Sequence, residues 1–177
     1  MPAMRSWERF ETKRLAAQRV RESDIDFLYE MHRNPRLMET LGGVRSTAQT
    51  EAYLSDNIEH WERHGHGLWI LRARDDNRFL GRAALRRVDV EGSSEIEVGY
   101  AVLPPYWGLG LATEVANAII DQAFSRLGVD SLVSFALPMN AASQRVMEKA
   151  GGTYERDIVH AGRPHVLYRF VRRVGGA

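Results

Sequence analysis

The segment of this sequence best suited to holding a phosphate is an extended run that ends in a glycine-rich turn. Glu97–Leu103 reads EVGYAVL, and Trp107–Gly110 (WGLG) lies directly before a helical pattern. The first N–H groups of a helix have no partner inside it, and together with the helix dipole they attract anions. Glycines let the backbone approach an anion because they carry no Cβ. The segment by itself fits a phosphate loop and a tight turn without a ligand about equally well.

Two familiar phosphate-binding loops do not fit this segment. The P-loop requires a Lys followed by Ser or Thr after its last glycine, and neither follows Gly110. The dinucleotide fingerprint requires a third glycine where Thr113 stands, and an acidic residue that ends the next strand. Asp130 precedes that strand instead of ending it. The segment is therefore neither a P-loop nor a dinucleotide-binding turn.

The sequence offers no metal or thiol chemistry. It contains no cysteine, which excludes disulfides, cysteine-ligated metals and a thiol nucleophile. The six histidines show no metal-ligand spacing: His60 and His64 stand one helical turn apart, but no third ligand accompanies them. A solvated helix face explains this pair better than a metal site. We therefore expect no metal.

Length and charge indicate an ordinary soluble domain. The chain has 177 residues with 24 Lys and Arg against 23 Asp and Glu, a net charge of +1. This balance gives no reason to expect nucleic acid or an anionic membrane as a partner. The sequence has no apolar stretch of about 20 residues and no secretory signal, so we expect a cytoplasmic protein without a membrane segment. We expect an N-terminal extension at residues 1–14 and a single domain at residues 15–173.

Periodicity and turn residues predict the element order β-α-α-β-β-β-α-β-α-β-β. This order indicates an α/β (α+β) fold: a mixed, mostly antiparallel sheet of about seven strands with helices on both faces. Ser23 is predicted to cap the first helix and Asn34-Pro35 to end it, while Gly128 caps the end of a later helix. The predicted strands lie at residues 15–21, 67–74, 79–88, 94–103, 131–137, 153–160 and 165–173, and the predicted helices at 24–34, 47–64, 110–126 and 141–150.

Three blocks in this order resemble the GNAT superfamily of acyl-CoA-dependent N-acyltransferases. The superfamily's pyrophosphate loop, Q/R-x-x-G-x-G/A, is matched by Trp107–Ala112, with Trp in place of the usual Gln or Arg. Asn140–Gly151 is similar to the family block N-x-x-S-x-x-x-x-E-K-x-G, and Glu97–Tyr100 matches the strand before the loop. The resemblance is closest to the RimJ/RimL-like branch of ribosomal-protein N-terminal acetyltransferases, which typically shows Tyr-Trp-Gly-x-Gly-x-Ala-Thr-Glu, as Tyr106–Glu114 do here. It covers roughly residues 15–170.

The resemblance implies where coenzyme A binds. Two central strands, Glu95–Leu103 and Ser131–Leu137, would splay apart, and the pantetheine arm would lie in the opening. A main-chain N–H near Val102 would polarise the thioester carbonyl, and Asn140 would bind the pantetheine arm. The implied acetyl-CoA-binding residues are Val102, Leu103, Trp107, Gly108, Leu109, Gly110, Leu111, Ala112, Thr113, Asn140 and Arg145.

The implied reaction is the attack of a neutral amine on the thioester of acetyl-CoA. Because an acyl-cysteine intermediate is impossible in this chain, direct transfer in a ternary complex is favoured. By the same resemblance Ser143 would protonate the departing thiolate, although a serine in the first helical turn also satisfies backbone groups. Glu97 is the candidate base that receives the amine proton, directly or through water. A solvated strand face or a structural salt bridge explains Glu97 at least as well.

The sequence leaves the two substrates and the oligomeric state open. The expected enzyme is an acetyl-CoA-dependent N-acetyltransferase acting on a primary amine, either a protein N-terminus or a small molecule. The alternatives are an acyl-CoA-binding module without turnover and an acyltransferase with a longer donor such as succinyl-CoA. The many arginines leave room for a carboxylate clamp on such a donor, but the sequence identifies no position for it. Homodimerisation is also left open.

Overall fold

The computed structural model describes residues 7–173, so residues 1–6 of the predicted N-terminal extension lie outside it. Eight strands form one sheet in the order β1-β2-β3-β4-β5-β6-β8-β7, in which β5 and β6 are parallel. The pairs β1–β2, β2–β3, β3–β4, β6–β8 and β7–β8 are antiparallel. The strands are β1 (Arg9–Glu11), β2 (Leu15–Arg19), β3 (Leu68–Ala73), β4 (Phe79–Val90), β5 (Ser93–Val102), β6 (Ser131–Ala136), β7 (Thr153–His160) and β8 (Arg163–Val171).

Five α-helices accompany the sheet in the described part of the chain, and their ends follow from local capping. In the third helix the Ser46 side chain accepts a hydrogen bond from Gln49 N at 3.1 Å, and the Gln49 side chain accepts one from Ser46 N. Gly65 ends this helix in the left-handed conformation, with φ of 70°. The helices are α1 (Ile25–His32), α2 (Pro35–Met38), α3 (Thr47–His64), α4 (Leu111–Leu127) and α5 (Ala141–Lys149).

The predicted mixed, mostly antiparallel sheet is confirmed, with eight strands instead of about seven. The additional strand, β1, lies within the predicted extension and pairs with β2, for example Phe10 with Ala17. The prediction for Ser23 is wrong: a 3₁₀ turn occupies Glu22–Asp24, and α1 begins after Asp24. Asn34-Pro35 follows α1 as predicted but also begins α2, because Asn34 Oδ1 accepts a hydrogen bond from Leu37 N at 3.1 Å.

The chain forms two compact units, and the first comprises the residues up to Ala84 together with Tyr100–Leu111. Its core is built on β3, where Leu68–Leu71 are buried. Trp61 and Trp69 pack edge to face with ring centroids 5.2 Å apart, and both indole N–H groups bind main-chain carbonyls. These two tryptophans are therefore core residues.

The second unit comprises Leu85–Gly99 and the chain from Ala112 onward. One cluster of its core contains Val90, Val133, Ile158 and Leu167, each at most 3% exposed. In α4 the residues Val115, Ile119 and Ala123 are buried, as the helical spacing in the sequence predicts. Among residues 7–173 none of the helices is both long and apolar enough to cross a membrane.

Candidate active site

The predicted phosphate loop has the backbone that anion binding requires. Gly108 and Gly110 both have φ of 77°, a conformation that glycine adopts most readily, and α4 begins at Leu111 immediately after them. A Cβ added at Gly108 would meet no atom within 4 Å, and one at Gly110 would lie 3.6 Å from Arg14 Nη2. Arg14 Nη1 also donates a 2.7 Å hydrogen bond to the Leu109 carbonyl. The loop therefore offers open backbone beside a guanidinium group.

Trp107 connects this loop to the end of β5. Its indole Nε1–H donates a 2.6 Å hydrogen bond to the Val102 carbonyl. The Arg36 guanidinium lies over the indole ring, 4.9 Å from its centroid. The family pattern has Gln or Arg at this position, so the structure gives the departure a physical role: Trp107 fixes the loop to the strand before it.

Val102 and Leu103, two of the residues implied to bind acetyl-CoA, differ in their own hydrogen bonds. Leu103 N donates to the Leu80 carbonyl at 2.9 Å, and the Leu103 carbonyl accepts from Tyr106 N at 3.0 Å. Because hydrogen-bonding direction alternates along a strand, the N–H of Val102 points away from β4. The backbone of Gly81 in β4 lies close to the backbone of Ala101 in β5, since a Cβ on Gly81 would lie 2.1 Å from the Ala101 carbonyl oxygen. The N–H of Leu103 is therefore bonded to β4, whereas that of Val102 is directed away from it.

The predicted base Glu97 is held by an ion pair. Its side chain is 11% exposed, and its Oε2 lies 3.2 Å from Arg86 Nη2. Its Oε1 lies 3.9 Å from the position that a Cβ on Gly99 would take, and among residues 7–173 no other atom beyond the chain neighbours of Gly99 is within 4 Å. Arg86 thus orients one carboxylate oxygen and the other faces the open side of Gly99. Glu95, on the same strand face, is instead bound by Arg169 at 2.8 and 3.1 Å.

The predicted acid Ser143 lies in the first turn of α5. Asn140 caps this helix, because its Oδ1 accepts a hydrogen bond from Ser143 N at 3.1 Å. This bond uses the Asn140 carbonyl oxygen, so the pantetheine contact predicted for Asn140 would fall to its amide NH₂. Arg145 is exposed on the same helix.

Tyr168 donates a 3.2 Å hydrogen bond to Glu148 Oε1. Burial and this hydrogen bond raise the pKa of Tyr168, so its side chain stays a neutral phenol.

The parallel strands β5 and β6 pair at one position, Glu97 with Val133. No further pair between them occurs among residues 7–173. Strand β6 continues on its other side in register with β8 as far as Ala136 and Val166. The splay of these two strands beyond this pair stays a prediction.

Sequence reasoning missed a buried polar cluster in the first unit. His32 Nδ1 lies 3.0 Å from Thr50 Oγ1, and Arg45 Nη1 lies 3.3 Å from His32 Nε2. Because arginine can only donate, Nε2 is the acceptor and Nδ1 carries the proton. Burial, with the charges of Arg45 and Arg82, lowers the pKa of His32 to about 4. The available signal was Arg82 itself, a charge in the apolar run FLGRAAL.

His66 lies beside the pair His60 and His64 in the structure. The ring centroids of His60 and His64 are 4.5 Å apart, and His66 lies 5.4 Å from His60. His60 Nδ1 is 2.8 Å from the His66 carbonyl oxygen. Within the described part of the chain no group of three or more His, Cys, Asp or Glu is placed to hold a metal ion.

The predicted site residues divide between the two units. The structure brings Trp107 and Val102 together in the first unit, and Asn140 and Ser143 together in the second. Glu97 is bound to Arg86 instead of to another predicted site residue. The first unit holds Val102, Leu103, Trp107, Gly108, Leu109, Gly110 and Leu111, and the second holds Glu97, Ala112, Thr113, Asn140, Ser143 and Arg145.

Comparison with known proteins identifies the family. The chain is 28% identical over 158 residues to the "Uncharacterized protein YkkB" of Bacillus subtilis (strain 168), covering 89% of this chain and 92% of that protein. The fold is shared with an acetyltransferase from Agrobacterium tumefaciens str. C58, with a TM-score of 0.82, 24% identity and 93% and 94% of the two chains covered. It is also shared with RimL, the ribosomal L7/L12 alpha-N-protein acetyltransferase in complex with coenzyme A, with a TM-score of 0.77, 19% identity and 93% and 98% covered. The acetyltransferase (GNAT) domain family matches residues 14–153, and the chain therefore belongs to this family.

Proposed function

We propose that this protein is an N-acetyltransferase that moves an acetyl group from acetyl-CoA directly to a primary amine. The observation that carries the proposal is the Trp107–Leu111 loop, in which two left-handed glycines and the start of α4 leave main-chain N–H groups open to an anion. The pyrophosphate of coenzyme A is such an anion. The membership in the acetyltransferase family and the coenzyme A complex of RimL support the same donor.

The donor-side residues suit acetyl-CoA in two further respects. The Val102 N–H lies on the side of β5 away from β4, where it can bind the thioester oxygen as negative charge develops there. The hydrogen bond from Trp107 to the Val102 carbonyl fixes the same peptide segment against the loop. Binding of the pyrophosphate and orientation of the thioester are therefore coupled through one side chain.

Ser143 and Glu97 are proposed to move the two protons of the reaction. Ser143 gives its hydroxyl proton to the departing CoA thiolate, and the main-chain position of Ser143 is fixed by the Asn140 cap. Glu97 accepts the amine proton at Oε1, through a water over Gly99, while Arg86 holds Oε2. Since the chain has no cysteine, no acyl-thiol intermediate forms and both substrates are bound together.

The acceptor is proposed to be an α-amine, in keeping with the RimJ/RimL resemblance. An α-amine with a pKa of about 7.7–8.0 is roughly a tenth to a third neutral near pH 7.4, whereas a lysine amine near 10.4 is about a thousandth neutral. A carboxylate that acts through water is a weak base, so the substrate that already loses its proton in solution is favoured. This reasoning also admits small amines of low pKa.

The experiment is a CoA-release assay with mass spectrometry of the acceptor. One peptide has a free N-terminus and a blocked lysine, and its partner has an acetylated N-terminus and a free lysine. We expect acetylation of the first peptide with a higher kcat/KM, and initial-rate lines that intersect when both substrates are varied. CoA release with no acetylated amine, or faster reaction of the lysine peptide, contradicts the proposal. Binding of acetyl-CoA without any turnover would favour a non-catalytic binding module.

A further inference from the structure

One buried arginine has no function in the mechanism above. Arg82 lies in the middle of β4 and is 6% exposed. Among residues 7–173 no carboxylate forms an ion pair with it, and its Nε has no hydrogen-bond partner. Burying a charge without a counter-ion is costly, and buried charges in proteins are normally paired. A site that binds an anion from outside explains why such a residue is kept.

Two further buried polar atoms without partners lie on α3, the helix that faces Arg82. The Arg82 guanidinium is 5.4 Å from the centroid of the Tyr53 ring, and the Tyr53 hydroxyl has no hydrogen-bond partner. Asn57 donates from Nδ2 to the Tyr53 carbonyl at 2.8 Å, and its Oδ1 has no partner. The three atoms are two donors, on Arg82 and Tyr53, and one acceptor, on Asn57.

The surroundings of this group are electropositive. The Arg45 guanidinium also lies over the Tyr53 ring, 4.7 Å from its centroid. His32 packs edge to face on Tyr53 at 4.9 Å, and its low pKa keeps it neutral at physiological pH. Two guanidinium groups thus contact one tyrosine ring, and the histidine beside them adds no further charge. This field attracts an anion and repels a cation.

The residue before Arg82 on β4 lies against the predicted reaction centre of the same unit. Arg82 follows Gly81, and a Cβ on Gly81 would lie 2.9 Å from the Val102 Cα. Val102 is the residue whose N–H is proposed to hold the thioester oxygen. The backbone of Arg82 is therefore one residue away from the position on β4 that contacts Val102.

We propose that Arg82, with Tyr53 and Asn57, binds a carboxylate of the acceptor, so that the substrate is an amine whose own molecule bears a carboxylate. A carboxylate accepts hydrogen bonds from Arg82 and Tyr53, and an N–H of the same molecule donates to Asn57 Oδ1. The inference rests on the proposed N-acetyltransferase function, of which it names the substrate class. Amino acids and peptides that begin with Asp or Glu have this chemistry.

The test compares isosteric acceptors that differ only in charge. Peptides beginning with Asp or Glu are set against peptides beginning with Asn or Gln, with kcat/KM expressed per neutral amine. Hydrogen bonds to a charged group predict a preference of about 10–100-fold for the acidic peptides. Arg82→Gln should abolish the preference and leave the Kd for acetyl-CoA unchanged. Arg63→Gln is the matched control, because Arg63 is exposed on α3 and paired with Glu59.

A second measurement needs no turnover. Aspartate and glutamate should raise the Tm of the wild-type protein more than asparagine and glutamine do, because a ligand that binds only the folded state stabilises it. In Arg82→Met this difference should vanish. Without ligand, Arg82→Met should melt at or above the wild-type temperature, since it removes a buried charge that has no carboxylate partner. A lower Tm would identify Arg82 as a structural residue and overturn the proposal.

The remaining outcomes separate this inference from the proposed function. Equal acetylation of Asp and Asn peptides by the wild type overturns the carboxylate site and leaves the N-acetyltransferase in place. A preference for succinyl-CoA over acetyl-CoA that Arg82→Gln abolishes assigns the carboxylate to the donor and overturns its assignment to the acceptor. A protein that does not bind acetyl-CoA but is stabilised by aspartate over asparagine supports the carboxylate site and contradicts the proposed function.

Discussion

The indole N–H of Trp107 and the carbonyl oxygen of Val102 are joined by a 2.6 Å hydrogen bond, so the glycine loop is attached to the strand that precedes it. The donor is the side chain that stands where the superfamily loop pattern has Gln or Arg. It makes the conformation of the loop depend on the end of β5. We therefore expect the affinity for acetyl-CoA to respond to a substitution that keeps the ring and removes only this hydrogen bond.

Trp107→Phe is that substitution, because phenylalanine retains an aromatic face for Arg36 and lacks the indole N–H. A neutral hydrogen bond is worth about 0.5–1.5 kcal/mol, which corresponds to a rise in the Kd for acetyl-CoA of about 2–10-fold. Calorimetry measures the Kd, and a thermal melt shows that the variant is folded. An unchanged Kd in a folded variant would show that the bond does not contribute to donor binding.

Ser143→Ala tests the proposed proton donor. A general acid contributes typically about 10²–10⁴-fold, so kcat should fall within this range while the Kd for acetyl-CoA stays near its wild-type value. Ser125→Ala is the control, since Ser125 is a helical serine whose hydroxyl binds the Gln122 carbonyl in α4. Rapid-quench kinetics must show that chemistry is rate-limiting. Full kcat in Ser143→Ala under that condition would make Ser143 a structural residue.

Glu97→Gln tests the proposed base against the structural alternative. Loss of a base should lower kcat/KM by about 10²–10⁴-fold, and the loss should be larger for a lysine peptide than for an α-amine, which is partly neutral without help. Glu95→Gln is a matched control, because Glu95 lies on the same strand face and is also bound by an arginine, Arg169. If both variants lose only stability and keep their kcat/KM, Glu97 is part of a salt bridge and not a base.

The capping and turn residues illustrate how far the sequence alone predicts this fold. Gly128, predicted to cap a helix, follows the end of α4 with φ of 63°, because this local signal and the tertiary structure agree. The strand β1 has three residues and an interrupted pattern, so its existence depends on pairing with β2, which no local signal reports. At Asn34-Pro35 two opposite signals overlap, since Asn-Pro both breaks a helix and begins one.

The site was predictable where the backbone carries the chemistry. The sequence predicts a glycine turn that opens a helix, and the structure has Gly108 and Gly110 directly before α4, because that requirement is local. The partners of charged side chains were not predictable: Arg86 and Glu97 are eleven residues apart and meet only because β4 and β5 are neighbours in the sheet. Arg82 was overlooked for the same reason, since its burial against Tyr53 is a tertiary contact.

The neutral state of His32 predicts a pH dependence of stability. Its pKa is about 4 in the folded protein, against the ordinary value of 6.5 in the unfolded chain. Between these two pH values the unfolded chain therefore binds a proton that the folded chain does not. The free energy of unfolding therefore falls as the pH drops from 6.5 toward 4, by up to roughly 3 kcal/mol from this one group. Urea unfolding from pH 7 to pH 4 should show a shallower loss in His32→Asn than in the wild type. Parallel curves would contradict the assignment.

The central claim is that the glycine loop before α4 binds the pyrophosphate of acetyl-CoA, and Gly110→Asp tests it most directly. The substitution places a carboxylate where the anion is proposed to lie. Gly162→Asp is the matched control, because Gly162 has φ of 72° and open space around it in the β7–β8 turn. Calorimetric titration with acetyl-CoA should give wild-type affinity for Gly162→Asp and no measurable binding for a folded Gly110→Asp. Equal affinity in the two variants would contradict the account.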